Sequence, residues 1–195
     1  MEKASQLTSF FTRQRFVLVQ TSHPGNVGAA ARAIKTMGFG RLVLVQPLQD
    51  DIQSDPAAIA MASGADDILA QAQVVDNIDL ALVGSHLTIA LSARAREFGP
   101  MRCSPRHAAA MASEILTTHA DAEVAWVFGN ERYGLPNEIV ERCRLLTAIS
   151  ANPAYTSLNL AQAVQLLAGE ARLALPEEAL LHEACSMTAL NVGFS

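Results

Sequence analysis

The chain has 195 residues, of which half are hydrophobic and 17% are charged, so it can bury the core of one folded domain. Its net charge of −5 excludes a global attraction to RNA or DNA, and any nucleic-acid site has to be a local basic patch. Aromatic residues make up only 5% of the chain, which argues against a stacking platform for single-stranded nucleic acid.

The predicted elements alternate between strands and helices along the chain. After a polar leader at residues 1–14, the strands are predicted at 16–20, 42–46, 74–75, 86–91, 124–128 and 145–149. The helices are predicted at 26–37, 55–63, 77–82, 104–119 and 157–175, with a further short helix that starts near 136 and a short tail at 176–195. This alternation predicts one α/β domain, at residues 15–175, with a parallel sheet and helices on both faces.

The first predicted helix has a polar side that carries Gly28, Arg32 and Lys35. Gly28 and Arg32 are four residues apart and lie one turn above the other. Because glycine adds no bulk beside the guanidinium, a ligand or a partner chain could approach closely there. The turn at 25–28 matches no standard nucleotide-binding pattern, and a plain strand–helix connection remains the alternative.

Two predicted buried strands end in loops with small side chains and many backbone donors. Gly129 opens the first loop, and Pro153 prevents helix in the second. A third strand, at 86–91, ends in a basic loop at the same edge of the sheet. Ligands of open parallel sheets bind at such carboxyl strand ends, so the sequence predicts a ligand site there.

Each candidate residue also has a purely structural interpretation. Arg94 and Arg96 could be solvated loop charges, and Glu131 and Arg132 could simply pair with each other. Ser157 and Asn159 could be helix caps only. His23 has no visible acid or nucleophile partner.

Cysteine spacing and hydropathy indicate the compartment. The three cysteines are widely spaced and include no CxxC pair, which favours reduced thiols over a disulfide framework or a zinc site. No apolar run reaches membrane-spanning length, and residues 1–15 are too polar for a signal peptide. These features predict a cytoplasmic protein with no membrane segment and no metal.

Three ordered motifs carry a family resemblance. They are Asn26-x-Gly28-x3-Arg32-x5-Gly38, the segment FGNERYGL at 128–135, and the segment ANPAYTSLNL at 151–160. In this order and spacing they resemble the SPOUT superfamily of RNA methyltransferases. The segments SHPGNVGAAARAIKTMGF and LSARAR narrow the resemblance to its TrmJ-type tRNA 2′-O-methyltransferases, over residues 16–173.

The resemblance implies a C-terminal trefoil knot, a homodimer, and S-adenosylmethionine bound inside the knot. The helix at 157–175 and the loop at 26–28 are expected to pack against the second copy. The implied cofactor residues are Leu91, Ser92, Ala93, Gly129, Ile149, Thr156, Ser157 and Leu158.

The resemblance also assigns Arg32 as the catalytic arginine, acting on the other subunit's cofactor. Because a guanidinium resists deprotonation, we interpret Arg32 as an electrostatic clamp and not as a base. Asn26, Glu131 and Asn159 match motif positions expected to order the site. RNA contacts are expected from Arg32, Lys35, Arg94, Arg96 and Arg132, with Arg13 and Arg15 as further basic residues.

The expected reaction is 2′-O-methylation of tRNA at nucleotide 32 of the anticodon loop, on cytidine or uridine. Methylation of ribosomal RNA, or an RNA-binding module that has lost catalysis, are the alternatives. Proteins of this type usually continue with a helical C-terminal extension that residues 176–195 do not match. We therefore expect the chain to fold and bind the cofactor but to hold tRNA weakly.

Overall fold

The computed structural model describes residues 9–92 and 99–181. Within them, seven strands form one sheet in the order β3-β2-β1-β6-β4-β7-β5, and every neighbouring pair is parallel. The predicted parallel α/β fold is therefore confirmed. The strands are β1 Gln14–Val19, β2 Arg41–Val45, β3 Gln73–Val75, β4 Ser85–Leu91, β5 Met101–Cys103, β6 Glu123–Phe128 and β7 Leu145–Thr147.

Helices cover both faces of this sheet. One hydrophobic cluster includes residues of α1, α2, α3, α5 and α7, and a second includes residues of α4 and α6. The helices are α1 Pro24–Thr36, α2 Pro56–Ala62, α3 Asp66–Ala70, α4 Ile78–Leu82, α5 Pro105–Thr118, α6 Asn137–Val140 and α7 Leu160–Leu173. None of the helices in the described part of the chain is long and apolar enough to span a membrane.

The strand β1 shows why the central strands are apolar throughout. Side chains alternate along a strand, so Phe16 and Leu18 enter one cluster while Val17 and Val19 enter the other. All four are at most 1% exposed. A strand covered on both faces cannot show the alternating polar pattern of a half-exposed strand.

The strand order brings segments that are distant in sequence together at the carboxyl ends of the central strands. β6 lies between β1 and β4, and β7 lies between β4 and β5, so each inserts between strands that precede it in the chain. Insertions of this kind are compatible with the knot that the resemblance implies. They also place the carboxyl ends of β1, β4, β6 and β7 side by side.

Several predicted boundaries are corrected by the structure. The last helix begins at Leu160 and not at residue 157, because Asn159 is its N-cap: the Asn159 carboxamide oxygen accepts from Ala161 N at 2.9 Å. The short elements β5 and α3 were not predicted, since three to five residues carry too little periodicity. Phe10 and Phe11, within the segment predicted as a polar leader, are buried in the core.

Gly28 has a different role from the predicted one. It is buried on α1, and a Cβ built there would lie 1.9 Å from the carbonyl oxygen of Ala58 on α2. The missing side chain therefore allows two helices to pack closely. The prediction that it opens space beside Arg32 is wrong.

Candidate active site

A cleft opens where β4, β6 and β7 end, with a volume of about 240 Å³. One wall follows β4, a second is the loop after β6, and the third combines the loop after β7 with the start of α7. The lining residues are Leu91, Ser92, Phe128, Gly129, Asn130, Glu131, Arg132, Tyr133, Gly134, Ile149, Thr156, Ser157, Leu158, Leu160 and Ala163.

This cleft brings together seven of the eight cofactor residues that the resemblance implies. They are Leu91, Ser92, Gly129, Ile149, Thr156, Ser157 and Leu158. The eighth, Ala93, lies outside the described residues. The ligand site predicted at the carboxyl strand ends thus coincides with a cleft in the structure.

Asn130 shapes the loop after β6, and sequence reasoning did not single it out. Its Nδ2 donates to the Gln20 carbonyl at 2.6 Å, and its Oδ1 accepts from the backbone N–H groups of Arg132 and Tyr133 at 2.8 and 3.1 Å. The loop folds back so tightly that a Cβ on Gly129 would lie 2.2 Å from the Gly134 carbonyl carbon. An asparagine directly after a strand-ending glycine is the sequence signal that could have indicated this turn.

Glu131 ties this loop to the loop after β1. Its carboxylate accepts from Asn26 Nδ2 at 3.1 Å on one oxygen, and from Ser22 N and Oγ at 3.1 and 3.0 Å on the other. Burial opposes ionisation of Glu131, but the hydrogen bonds from Asn26, the Glu131 backbone and Ser22 outweigh it and lower the pKa of this carboxyl. The partners of Glu131 among the described residues are thus Ser22 and Asn26, and the alternative of a Glu131–Arg132 pair is wrong.

Asn159 joins the third motif to the first. Its Nδ2 donates to Asn26 Oδ1 at 2.9 Å while its Oδ1 caps α7. Asn159 is therefore a cap, as the structural alternative held, and it is also a partner of Asn26. The hydrogen bonds connect Glu131, Asn26 and Asn159 into one unit that spans all three motifs.

Arg32 lies on the exposed side of α1 and does not line the cleft. It lines an adjoining groove between α1 and α7, and Leu158 is the one residue that borders both. Within residues 9–92 and 99–181, no hydrogen bond or ion pair of the Arg32 guanidinium is present. Arg32 therefore lines a different groove from the one that gathers the expected cofactor residues, and of those residues only Leu158 borders both.

The other predicted RNA contacts are dispersed. Arg132 lines the cleft, and its guanidinium lies 5.4 Å from the centre of the Tyr133 ring. Lys35 bonds to Asp67 Oδ1 at 2.8 Å and to the Gly64 carbonyl at 2.9 Å, so its charge is balanced within the chain. Arg94 and Arg96 lie outside the described residues.

Arg13 and Arg15 cannot contribute to an RNA surface at this site. Both are buried near the amino ends of the strands, at 9% and 6% exposure. Arg13 donates to the carbonyls of Leu116, His119 and Ala122, and Arg15 pairs with Glu123. The interpretation of these two residues as RNA contacts is wrong, because composition does not distinguish a structural arginine from a surface one.

Comparison with known proteins places this chain in a family. Residues 13–169 match the family described as SpoU rRNA Methylase. The chain is 47% identical over 160 residues to the tRNA (cytidine/uridine-2′-O-)-methyltransferase TrmJ of Salmonella typhimurium, covering 82% of this chain and 63% of that protein. The chain therefore spans less than two thirds of the length of this curated relative.

Solved structures agree in fold. A probable methyltransferase from Bordetella pertussis Tohama I superposes with a TM-score of 0.82 at 51% identity, over 87% of this chain and 99% of that one. A further solved chain, which bears on 2-OH methylation of C/U34 on tRNA, has a TM-score of 0.62 at 26% identity, over 83% of this chain and 95% of that one.

Proposed function

This chain belongs to the SpoU rRNA Methylase family, and on that basis we propose that it methylates the ribose 2′-hydroxyl of a tRNA pyrimidine nucleotide with S-adenosylmethionine as the donor. The observation that carries the proposal is the bonded unit of Asn26, Glu131 and Asn159 beside a cleft lined by the expected cofactor residues. The activity named for the Salmonella relative supports tRNA as the substrate.

The cleft has the chemistry that S-adenosylmethionine requires. Leu91, Ile149 and Leu158 offer apolar surface for an adenine ring, and the hydroxyls of Ser92, Thr156 and Ser157 and nearby backbone groups offer polar contacts. Glu131 adds a carboxylate on a wall of the cleft, which suits a cationic ligand. When bound, the cofactor would supply an electrophilic methyl group: its sulfonium–methyl bond would break to leave a neutral thioether, and the ribose oxygen would gain the methyl and release its proton to solvent.

Glu131 serves in this proposal to position the loops. Both of its oxygens already accept hydrogen bonds from the chain, and its pKa is lowered, so it is poorly suited to take the hydroxyl proton. It holds the first turn of α1, where Asn26 lies, and Asn26 in turn holds the start of α7 through Asn159.

Arg32 acts in this proposal as a clamp on the RNA. A guanidinium remains protonated, so it can hold a phosphate and stabilise negative charge that develops on the ribose oxygen. Because Arg32 borders a groove next to the cleft and not the cleft itself, we expect it to complete the site of a second copy.

The homodimer is proposed to form through the exposed groove between α1 and α7. The groove is lined in part by small and apolar residues, Ala29, Ala33, Leu158 and Leu166, of which Leu166 is 47% exposed. Light scattering at micromolar concentration tests this. A strictly monomeric chain with full activity would contradict it.

Nucleotide 32 of the anticodon loop is the proposed target, in the cytoplasm. The solved relative that concerns C/U34 makes nucleotide 34 the competing position. The test is tritiated methyl transfer to bulk tRNA, followed by mapping of the modified nucleotide and repetition with transcripts altered at 32 or at 34. Label at 32 alone supports the proposal, and label at 34 alone overturns the assigned position.

Ribosomal RNA is the second candidate substrate, since the family description names it. Parallel assays with tRNA and with ribosomal RNA distinguish the two. An RNA-binding module without catalysis would bind RNA and transfer no methyl group to either, although the complete set of Asn26, Arg32, Glu131, Ser157 and Asn159 argues against it.

A further inference from the structure

The aromatic residues of the described chain fall into two groups. Five phenylalanines and Trp126 are at most 6% exposed, whereas Tyr133 is 63% exposed and Tyr155 is 77% exposed. These are the two tyrosines of the chain. Tyr133 lines the cleft, and Tyr155 directly precedes Thr156, which also lines it. In the described chain, both exposed aromatic rings therefore lie on loops that form the candidate active site.

Both rings are presented by turns that the chain closes with its own hydrogen bonds. Tyr133 N donates to Asn130 Oδ1 at 3.1 Å. Tyr155 N donates to the Asn152 carbonyl at 2.8 Å, and Ala154 N donates to Asn152 Oδ1 at 3.0 Å. A tyrosine has only two side-chain torsions, so a ring on an ordered turn loses little entropy when a flat ligand stacks on it.

The charge beside Tyr133 suits a nucleic acid. The Arg132 guanidinium lies over the Tyr133 ring at 5.4 Å, a distance typical of a cation–π contact. This contact leaves the opposite face of the ring for a ligand and holds a positive charge within reach of a phosphate. An aromatic face next to an arginine is the usual recognition element for bases in single-stranded loops.

We propose that Tyr133 and Tyr155 stack on unpaired bases next to the ribose that is methylated, and so position the nucleotide at the cleft. This inference rests on the proposed function, because the stacked bases are those next to the ribose that this function methylates. It assigns that ribose to a single-stranded part of the RNA. The low aromatic content excludes a broad platform, but two rings at the rim of one cleft are enough to hold one or two bases.

The test uses the full chain and four variants: Tyr133→Ala, Tyr133→Phe, Tyr155→Ala and Tyr155→Phe. Loss of one stacked base is expected to raise the KM for tRNA by roughly 5- to 100-fold in each alanine variant, with a smaller effect on kcat. The phenylalanine variants keep the flat ring and are expected to stay within about threefold of the parent. Val83→Ala is the matched control, since Val83 is 65% exposed and precedes β4, at the amino ends of the strands and away from the cleft at their carboxyl ends.

A second readout does not depend on activity. The probe is a short unpaired oligonucleotide that contains 2-aminopurine. Its fluorescence is expected to fall on binding to the parent and to the phenylalanine variants. It is expected to bind about tenfold more weakly to Tyr155→Ala. Equal binding of parent and both alanine variants would overturn the inference. So would dissociation of a dimer by Tyr155→Ala, because the ring would then be an interface residue. If the parent bound the probe but methylated no RNA, the proposed function would be wrong. The fluorescence measurements would still decide whether the two tyrosines stack on bases.

Discussion

Asn159 donates a hydrogen bond from its side-chain amide to the side-chain oxygen of Asn26 at 2.9 Å, across 133 residues of sequence. Asn26 in turn donates a hydrogen bond to the Glu131 carboxylate. The start of α1, the loop after β6 and the start of α7 are therefore held as one unit. The same Asn159 side chain caps α7. The position of the loop that borders the cleft therefore depends on a residue that also begins the last helix.

Replacement of Asn159 by alanine is expected to lower the free energy of unfolding by about 1 kcal/mol, because α7 loses its N-cap. Ser157→Ala is the matched control and should leave stability nearly unchanged, since Ser157 does not cap the helix. The Ser157→Ala variant should bind S-adenosylmethionine more weakly than the parent, because Ser157 lines the cleft. Chemical denaturation and calorimetry separate the two effects. Equal loss of stability in both variants would contradict the assignment of the cap.

Glu131→Gln is expected to destabilise the chain by roughly 1–2 kcal/mol at pH 7, because the new amide presents donors to Ser22 and Asn26. The folded pKa of Glu131 is lowered from 4.5. A carboxyl with a lowered pKa stabilises the fold above its unfolded pKa and loses this contribution as pH falls through its folded pKa.

The stability difference between the parent and Glu131→Gln should accordingly be complete near neutral pH and shrink as pH falls below about 4.5. Urea titrations at a series of pH values measure it. The exposed Glu141→Gln serves as control and should show little difference at any pH. A difference that grows on acidification would contradict the role assigned to the Glu131 carboxylate.

Arg32→Ala is expected to bind S-adenosylmethionine with unchanged affinity, because Arg32 does not line the cleft. Methyl transfer should fall by roughly 10²-fold or more, the scale of removing one preorganised electrostatic donor. Arg142→Ala, which removes an exposed arginine paired with Asp79, should retain activity. Calorimetry and turnover on the same preparation decide the matter, and a parallel loss of cofactor affinity would show that Arg32 belongs to the cofactor site.

Gly28→Ala and Gly169→Ala are expected to have opposite effects on stability. The new methyl group at Gly28 would collide with the Ala58 carbonyl and push α1 from α2, at a cost of about 1–3 kcal/mol. The same change at Gly169 meets no atom within 4 Å and lies inside α7, where alanine should stabilise the helix by roughly 0.5–1 kcal/mol. Thermal unfolding measures the change in stability of each variant. A Gly28→Ala variant more stable than the parent would contradict the close packing of α1 against α2 at Gly28.

The affinity for tRNA is expected to be low and to depend only moderately on salt. With Arg13 and Arg15 buried and Lys35 paired, Arg32 and Arg132 remain of the expected RNA contacts that the structure describes, and the sequence adds Arg94 and Arg96. Each phosphate neutralised contributes about −0.9 to the slope of log affinity against log salt, so the slope should be about −4 or shallower. Filter binding across salt concentrations measures it. A slope near −8 would show that a larger basic surface takes part.

The sequence by itself determined the fold class and the location of the site. Apolar runs alternate with amphipathic helices, which requires a parallel sheet covered on both faces, and each strand end is marked by local residues such as Gly129 and Pro153. The motif resemblance named eight expected cofactor residues, and the structure places seven of them on the walls of one cleft.

Only the tertiary structure decided which residues meet. Ser22 and Glu131 are 109 residues apart, and they bond because β6 lies beside β1 in the sheet. Gly28 has its role because α2 crosses it, and Arg13 is buried because α5 ends above it. Strand order and burial come from the packing of the whole chain, and a pattern that is local in sequence carries no information about them.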